Sequence, residues 1–388
     1  MKIIQVNKRD FSRLSLKIGF ILFPFTLALP LPLKINAISL IILLVLLLFS
    51  LDLKSLKMRD SFLVVSVFFF LIDALLPILF FDINRVSLND TKIAYFVVPF
   101  LFFNSKNLLN RYFILFLHSF VFGVIVYVFY SWIYVFYFYN FLHPDWYSFS
   151  LTDGYIFYIL YNYLPGVIHH TYIGLYIITA INILLLYPLK NRLLTFILIF
   201  ILCFTVFYIG SKIVSVLLFF NFLIFFVKNK VNFKILLIFT CFCFISLYFI
   251  KDWLFYNLAN SIADRIDYYN CGSRLLKNSF WRGYGYGNIK SLADSCSNLE
   301  LNIFIPHNSF LYAILSNGVL GLLLLLTFCF ILFRNSIRKR NIVFILLVVN
   351  IIIISFVEDI FYLQKGVLFI ISFVSLFTYS SRSFKKTN

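Results

Sequence analysis

Charge is what this chain has least of. Only 12% of its 388 residues are Asp, Glu, Lys or Arg, and just 15 of them are acidic. Soluble domains carry about 25% charged and about 45–50% apolar residues, whereas 62% of this chain is hydrophobic, with 53 Phe and 25 Tyr. So few charges cannot cover so much apolar surface, which excludes a soluble globule. The first apolar stretch lacks a small-residue cleavage site and leads into further apolar stretches, so an uncleaved first helix is expected rather than a signal peptide. The His, Cys and carboxylate residues form no set at ligand spacing, which argues against a structural metal, and no cofactor is expected. No repeat relates the two halves, and many transporter folds show one.

What the chain does have is long apolar runs. A spanning helix needs about 20 mostly apolar residues, and twelve candidate stretches are present: Ser15 to Leu33, Ala37 to Leu51, Ser61 to Phe81, Ile93 to Phe103, Tyr112 to Tyr139, Thr171 to Tyr187, Leu193 to Gly210, Ile213 to Val227, Ile235 to Ile250, Ser309 to Phe333, Ile342 to Val357 and Val367 to Tyr379. The fourth is too short to cross alone and either borrows polar flanks or dips in and returns. The expected fold is all-α, a single polytopic bundle of about 12 helices over residues 1–388.

With both termini in the cytoplasm, the inner segments receive 22 of the 33 basic residues and 3 of the 15 acidic ones. The opposite orientation would violate the positive-inside rule. The net charge of +18 is therefore topological and is no sign of nucleic-acid binding. On the outer, periplasmic side lie a smaller loop over 140–170, free of Lys and Arg, and a large polar loop over 251–307 between the ninth and tenth helices. Chemistry is expected there.

Within the large loop Leu254, Leu258, Ile262 and Ile266 recur every fourth residue, as in an amphipathic helix lying on a membrane, with Arg265 toward the headgroups. Arg274 and Lys277 share the next helical face. Trp281-Arg282-Gly283-Tyr284-Gly285-Tyr286-Gly287-Asn288 then suits a tight turn approaching something closely, flanked by rings able to stack on sugars. No βαβ unit surrounds it, so it is no nucleotide fingerprint. Cys271 and Cys296 sit on the oxidising side, either bridged or as two thiols. The other four cysteines fall in apolar helices.

His307 precedes Asn308 and Ser309, either of which can cap the tenth helix. It either serves only as an interfacial capping residue or, kept neutral by the positive end of the helix dipole, accepts a proton near pH 7. Lys212 follows Gly210-Ser211 at the turn of an outward hairpin. Recessed there, it either snorkels or pairs with Asp73, Glu358, Asp359 or an anionic ligand such as a diphosphate. Asp73 lies mid-span, as a functional group or a protonated, hydrogen-bonded one. His118 reads as structural. His169-His170-Thr171-Tyr172 opens the sixth helix on the outer side. Recessed cations beside a lipid-accessible cleft suit a lipid-linked diphosphate, and a neutral His can deprotonate a sugar hydroxyl.

These motifs resemble the bacterial O-antigen ligase and O-antigen polymerase superfamily, integral membrane transferases acting on undecaprenyl-diphosphate-linked glycans. The match runs from Ser273-Arg274 to Trp281, through Gly283 to Gly287, to His307-Asn308-Ser309-Phe310-Leu311 and Asn317-Gly318-Val319-Leu320-Gly321. His169 to Tyr172, Glu358-Asp359 and Gln364-Lys365-Gly366 are similar to further family motifs. The resemblance covers His169 to Gly366, while the first 140 residues match only in hydropathy. It implies that Arg274 binds diphosphate and takes part in catalysis, that His307 is the acceptor base, and that Arg265 is a second phosphate ligand. It further implies acceptor or accessory roles for His170, Tyr172, Glu358 and Asn308. Lys212 stands where the family often has Ser-Arg, and Lys offers a point charge without the guanidinium fork. The implied partners are the lipid-linked glycan, a glycan or lipid A-core acceptor and membrane lipid, with no nucleic acid and no metal. The implied location is the bacterial inner membrane, with ligase ahead of polymerase and protein O-glycosylation as a third branch. A transporter, since a bicarbonate-transport-associated group has similar motifs, or a non-catalytic scaffold of glycan assembly are the competing readings.

Overall fold

A computed structural model describes residues 8–51, 60–80, 90–138, 169–209, 211–229, 265–285, 289, 292 and 306–380. The expected ninth span, most of both outer loops, Leu254, Leu258, Ile262, Tyr286 and Cys296 lie outside the described residues. Among those described, every regular element is helical and no strand occurs. In chain order these are α1 (Lys8–Ala28), α2 (Leu33–Ser50), α3 (Ser61–Phe80), a 3₁₀ turn (Asp90–Ile93), α4 (Ala94–Asn104), α5 (Lys106–Tyr137), α6 (His170–Leu186), α7 (Arg192–Tyr208) and α8 (Lys212–Asn229). Then come α9 (265–279), α10 (Ser309–Lys339), α11 (Ile342–Ser355) and α12 (Gln364–Tyr379). Each anticipated apolar stretch that falls among the described residues thus contains a helix. Two of them, α5 at 32 residues and α10 at 31, are long and apolar enough to cross a membrane.

The chain forms two compact units, one from Met1–Phe49 with Arg111–Asn257, the other from Ser50–Asn110 with Leu258–Asn388. In the first, α1 and α5 cross closely: a Cβ on Gly123 would stand 2.5 Å from the Phe25 carbonyl oxygen. The small residue lets the backbones meet, which is how apolar helices associate without a hydrophobic driving force. Phe20 stacks on Tyr112 at 5.0 Å beside the crossing. Helix α6 is buried all round from Thr171 to Leu184 and packs on α7 and α8, again through a glycine, Gly174 against Val214. His118 sits within hydrogen-bond distance of the Tyr187 carbonyl at 2.9 Å, a structural role. The outward side of α7 is the reverse: Leu193, Phe196, Ile197 and Phe200 stand exposed at helical spacing. Such an apolar stripe is unfavourable in water and suited to lipid.

The second unit holds α3, α4 and α9 to α12. Phe328 of α10 is its hub, touching the rings of Phe62, Phe69, Tyr95 and Phe361. Helix α12 is buried throughout and lies along α4, with the Tyr95 hydroxyl donating to the Phe361 carbonyl at 2.9 Å. One end of this unit gathers Lys339, whose Nζ donates to the Ser380 carbonyl, and Lys106 over the Phe103 ring. There Asp60 caps α3 and accepts from the Tyr379 hydroxyl. The chain turns through 356–363 at the opposite end, and that end carries the candidate chemistry.

Candidate active site

Helix α10 needs its first N–H groups satisfied. Asn308 does this, its Oδ1 accepting from Phe310 and Leu311 at 2.9 and 3.0 Å. Its Nδ2 donates to the Phe356 carbonyl, and Ser309 Oγ donates to the Glu358 carbonyl at 2.7 Å. The turn between α11 and α12 is therefore tied to the start of α10. Ring contacts close the joint, Phe310 on Phe356 and Tyr312 stacked on Tyr362 at 4.4 Å.

Two acids are carried into this joint. Glu358 and Asp359 are only 3% and 2% exposed. Asp359 Oδ1 accepts the Asn308 N–H at 2.9 Å, and a carboxylate at a helix N-terminus also meets the positive end of the dipole. This holds His307 at φ +47°, a left-handed conformation that costs a non-glycine residue about 1 kcal/mol. Strain of this kind persists only where surrounding bonds over-determine it, and it gathers at functional positions. The ring of His307 is turned so that Nδ1 faces Glu358 Oε2 at 3.6 Å, with Tyr268 edge-on at 5.5 Å. Arg265 Nη2 reaches the other oxygen of Glu358 at 3.9 Å. Glu358 thus lies between the imidazole and the guanidinium of Arg265, whose side chain is 30% exposed.

The electrostatics differ from what the helix terminus alone predicts. Burial lowers the basicity of His307, but the hydrogen bond to Glu358 and the charges of Glu358 and Asp359 outweigh it and Arg265 together, so the ring binds its proton more tightly than a free imidazole. Burial pushes Asp359 up to about 7; the His307 imidazolium and the backbone N–H donors oppose the rise, and neighbouring Glu358 adds to it. Both groups hold protons more tightly folded than unfolded. Stability from Asp359 is therefore full below about 4 and lost as pH climbs to about 7, and that from His307 is full below the ordinary imidazole range and lost as pH rises through its raised folded value. The solubilised protein is expected to melt several degrees lower at pH 8 than at pH 5, and Asp359→Asn should narrow that gap. An unchanged gap in differential scanning fluorimetry contradicts this assignment.

Arg274 is not in the cluster. It stands nine residues after Arg265 on α9, half a turn out of phase at 100° per residue, exposed and without an ion pair among the described residues. The inner face instead carries Tyr268, Gly272 against Leu311, and the buried Cys271 and Leu275. Cys271 is disulfide-bonded; its anticipated partner Cys296 lies outside the described residues. His170, Tyr172 and Lys212 belong to the other unit. There the His169 and His170 rings lie 4.1 Å apart and tilted by 38° at the start of α6, Tyr172 is buried, and Ser211 Oγ lies 3.5 Å from Thr171 Oγ1. Lys212 opens α8, half-buried, and Asp73 falls within α3.

The glycine-rich segment is used by the protein itself. Helix α10 is kinked at Asn317 and Gly318, where φ is −126° and +63°. Tyr284 and Gly285 donate their N–H groups to the carbonyls of Leu315 and Ser316 at 2.7 and 2.9 Å, while Val319 donates to Phe280. A Cβ on Gly283 would stand 2.6 Å from backbone atoms of Ser316 and Gly318, and one on Gly318 would collide with the Trp281 carbonyl. The close approach expected of this turn is thus made to the kink of α10, and the ring of Tyr284, expected to be able to stack on a sugar, instead donates its hydroxyl to the Leu275 carbonyl. Tyr268 and this clasp were not foreseen from the sequence, and Asp359 was expected beside Lys212 or in a motif with Glu358 rather than on the Asn308 N–H; the three-residue spacing of Arg265 and Tyr268 was the available signal for Tyr268.

No group of three or more His, Cys, Asp or Glu among the described residues is placed to hold a metal ion. In comparisons with known proteins, no family model matches the chain and no curated protein matches it in sequence.

Proposed function

We propose that the protein is a multi-pass inner-membrane glycosyltransferase. It moves a glycan from an undecaprenyl-diphosphate carrier to an acceptor hydroxyl at the periplasmic face, with ligase ahead of polymerase. The single observation that carries the reading is His307 held against buried Glu358, which in turn faces Arg265, at the mouth of a helix long enough to span. A His whose Nδ1 is held by a carboxylate is an oriented base, and Glu358 stabilises the imidazolium as it forms. Nε2 takes the proton of the acceptor hydroxyl. The hydroxyl oxygen bonds to the anomeric carbon as the bond from that carbon to the diphosphate breaks. The undecaprenyl diphosphate leaves with the electron pair, its charge met by the donors Arg265 has left beside Glu358. The exposed apolar stripes and the gathering of Lys106 and Lys339 at the far end of the second unit support the membrane reading and its orientation.

The test is the surface polysaccharide of a deletion strain. Loss of polymer from the lipid core with free polymer retained means ligase, and capping by a single repeat means polymerase. An unaltered profile overturns the proposal. Lys212 offers a finer test: Lys212→Arg should keep activity and Lys212→Ala should lose about tenfold or more if it meets an anion. Equal activity of all three proteins assigns it to snorkelling.

A further inference from the structure

We propose that the outer face of α9, bearing Arg274 and Lys277, together with Trp281 in the turn that follows it, is a docking surface for the headgroups of anionic phospholipids. The inference rests on α10 crossing the membrane and not on the transfer chemistry. Arg274 and Lys277 stand three residues apart, on one helical face of α9, Trp281 follows in the turn just past the helix end, and all three are exposed. The opposite face is committed inward through Tyr268, Cys271, Gly272 and Leu275. Arg282 adds a further exposed cation, while the one acid of α9, Asp267, stands two turns from Arg274 at the far end of the helix.

The aromatic residues mark the depth. Phe280 and Trp281 are 44% and 76% exposed, an unfavourable arrangement in water and a favoured one at the boundary between hydrocarbon and headgroups. Their level on the spanning helix is set by the bond from the Val319 N–H to the Phe280 carbonyl. From Tyr312 to Gly318, α10 is buried. Its exposed apolar stripe begins at Leu320 and continues through Leu323, Leu326 and Phe330. Trp281 therefore lies where α10 first meets lipid, and the cations next to it on the chain fall at the phosphate layer. A soluble partner would have to cover a patch continuous with a lipid-facing helix, whereas the bilayer covers both at once. Anionic headgroups complement the positive charges of Arg274 and Lys277.

The test uses full-length protein in nanodiscs of mixed phosphatidylglycerol and phosphatidylcholine, free of lipid-linked glycan, with bromines on the acyl chains of one lipid or the other. The Trp281 contribution is the difference in fluorescence between the native protein and Trp281→Phe, a change at an exposed ring. Quenching of that contribution should be at least about threefold stronger when the brominated lipid is phosphatidylglycerol, and near parity in Arg274→Gln/Lys277→Gln. Equal quenching by both lipids in the native protein, quenching by neither, or a preference that survives the double substitution would overturn the proposal. Retention of the native helical circular dichroism in the double variant shows that parity there is not a loss of fold.

Discussion

His307→Ala is expected to lower transfer by about 10²- to 10⁴-fold, the range of a positioned general base, while the protein stays in the membrane at normal abundance. Alanine keeps the same chain direction at φ +47° and leaves the Asn308 N–H to Asp359 bond in place, so the loss should be chemical rather than structural. The companion variant is Glu358→Gln, which keeps shape and removes charge. His307 must be neutral to take a proton, so activity rises with pH through its folded pKa, which lies above the usual imidazole value because Glu358 and Asp359 outweigh burial. Without the charge of Glu358 that limb of the pH–rate profile should move to lower pH, and the maximal rate should fall as the imidazolium loses its partner. A profile that loses height without moving would assign Glu358 to packing alone.

The second large effect is Gly318→Ala. The methyl group would enter the space of the Trp281 carbonyl, on a residue whose φ of +63° already disfavours a side chain. Neither backbone can yield without breaking the bonds from Tyr284 and Gly285 to Leu315 and Ser316, carbonyls beside a kink at which the Val319 N–H has turned to Phe280. A loss of about 3 kcal/mol or more is expected from strain and unpaired backbone groups together, seen as disappearance of the monodisperse peak when detergent extracts are run by size exclusion. Gly283→Ala should do the same from the other side of the clasp, and Leu320→Ala, at an exposed position, should not. A Gly318→Ala protein that elutes and melts like the native one would show that the clasp does not hold the kink.

Helices were readable because hydrophobic runs and charge gaps are local properties of the chain. The limits of α3, α4 and α6 fall within a residue of the apolar stretches, and α10 differs mainly in running on to Lys339 past the first basic residues. Its capping by Asn308 was equally local, an amide placed ahead of an apolar run. What was not local was harder to see. The glycines around Tyr284 announced a close backbone approach, but the partner lies more than thirty residues away in the kink at Gly318, and no periodicity connects them. The helix dipole alone predicts a neutral His307; it is the turn after α11, bringing Glu358 and Asp359 against it, that reverses the sign. Arg274 looked like the site's cation because it lies in the motif, whereas the phase of α9 gives the inward position to Arg265.

The most direct measurement of the central claim is release of undecaprenyl diphosphate from a purified lipid-linked glycan by the protein in nanodiscs, with and without acceptor, compared between the native chain and His307→Ala. Acceptor-dependent release is expected from the native protein, and His307→Ala should abolish it while its membrane abundance and helical circular dichroism stay the same. Release of equal rate by both proteins, or none by the native protein with any tested glycan acceptor, would contradict it.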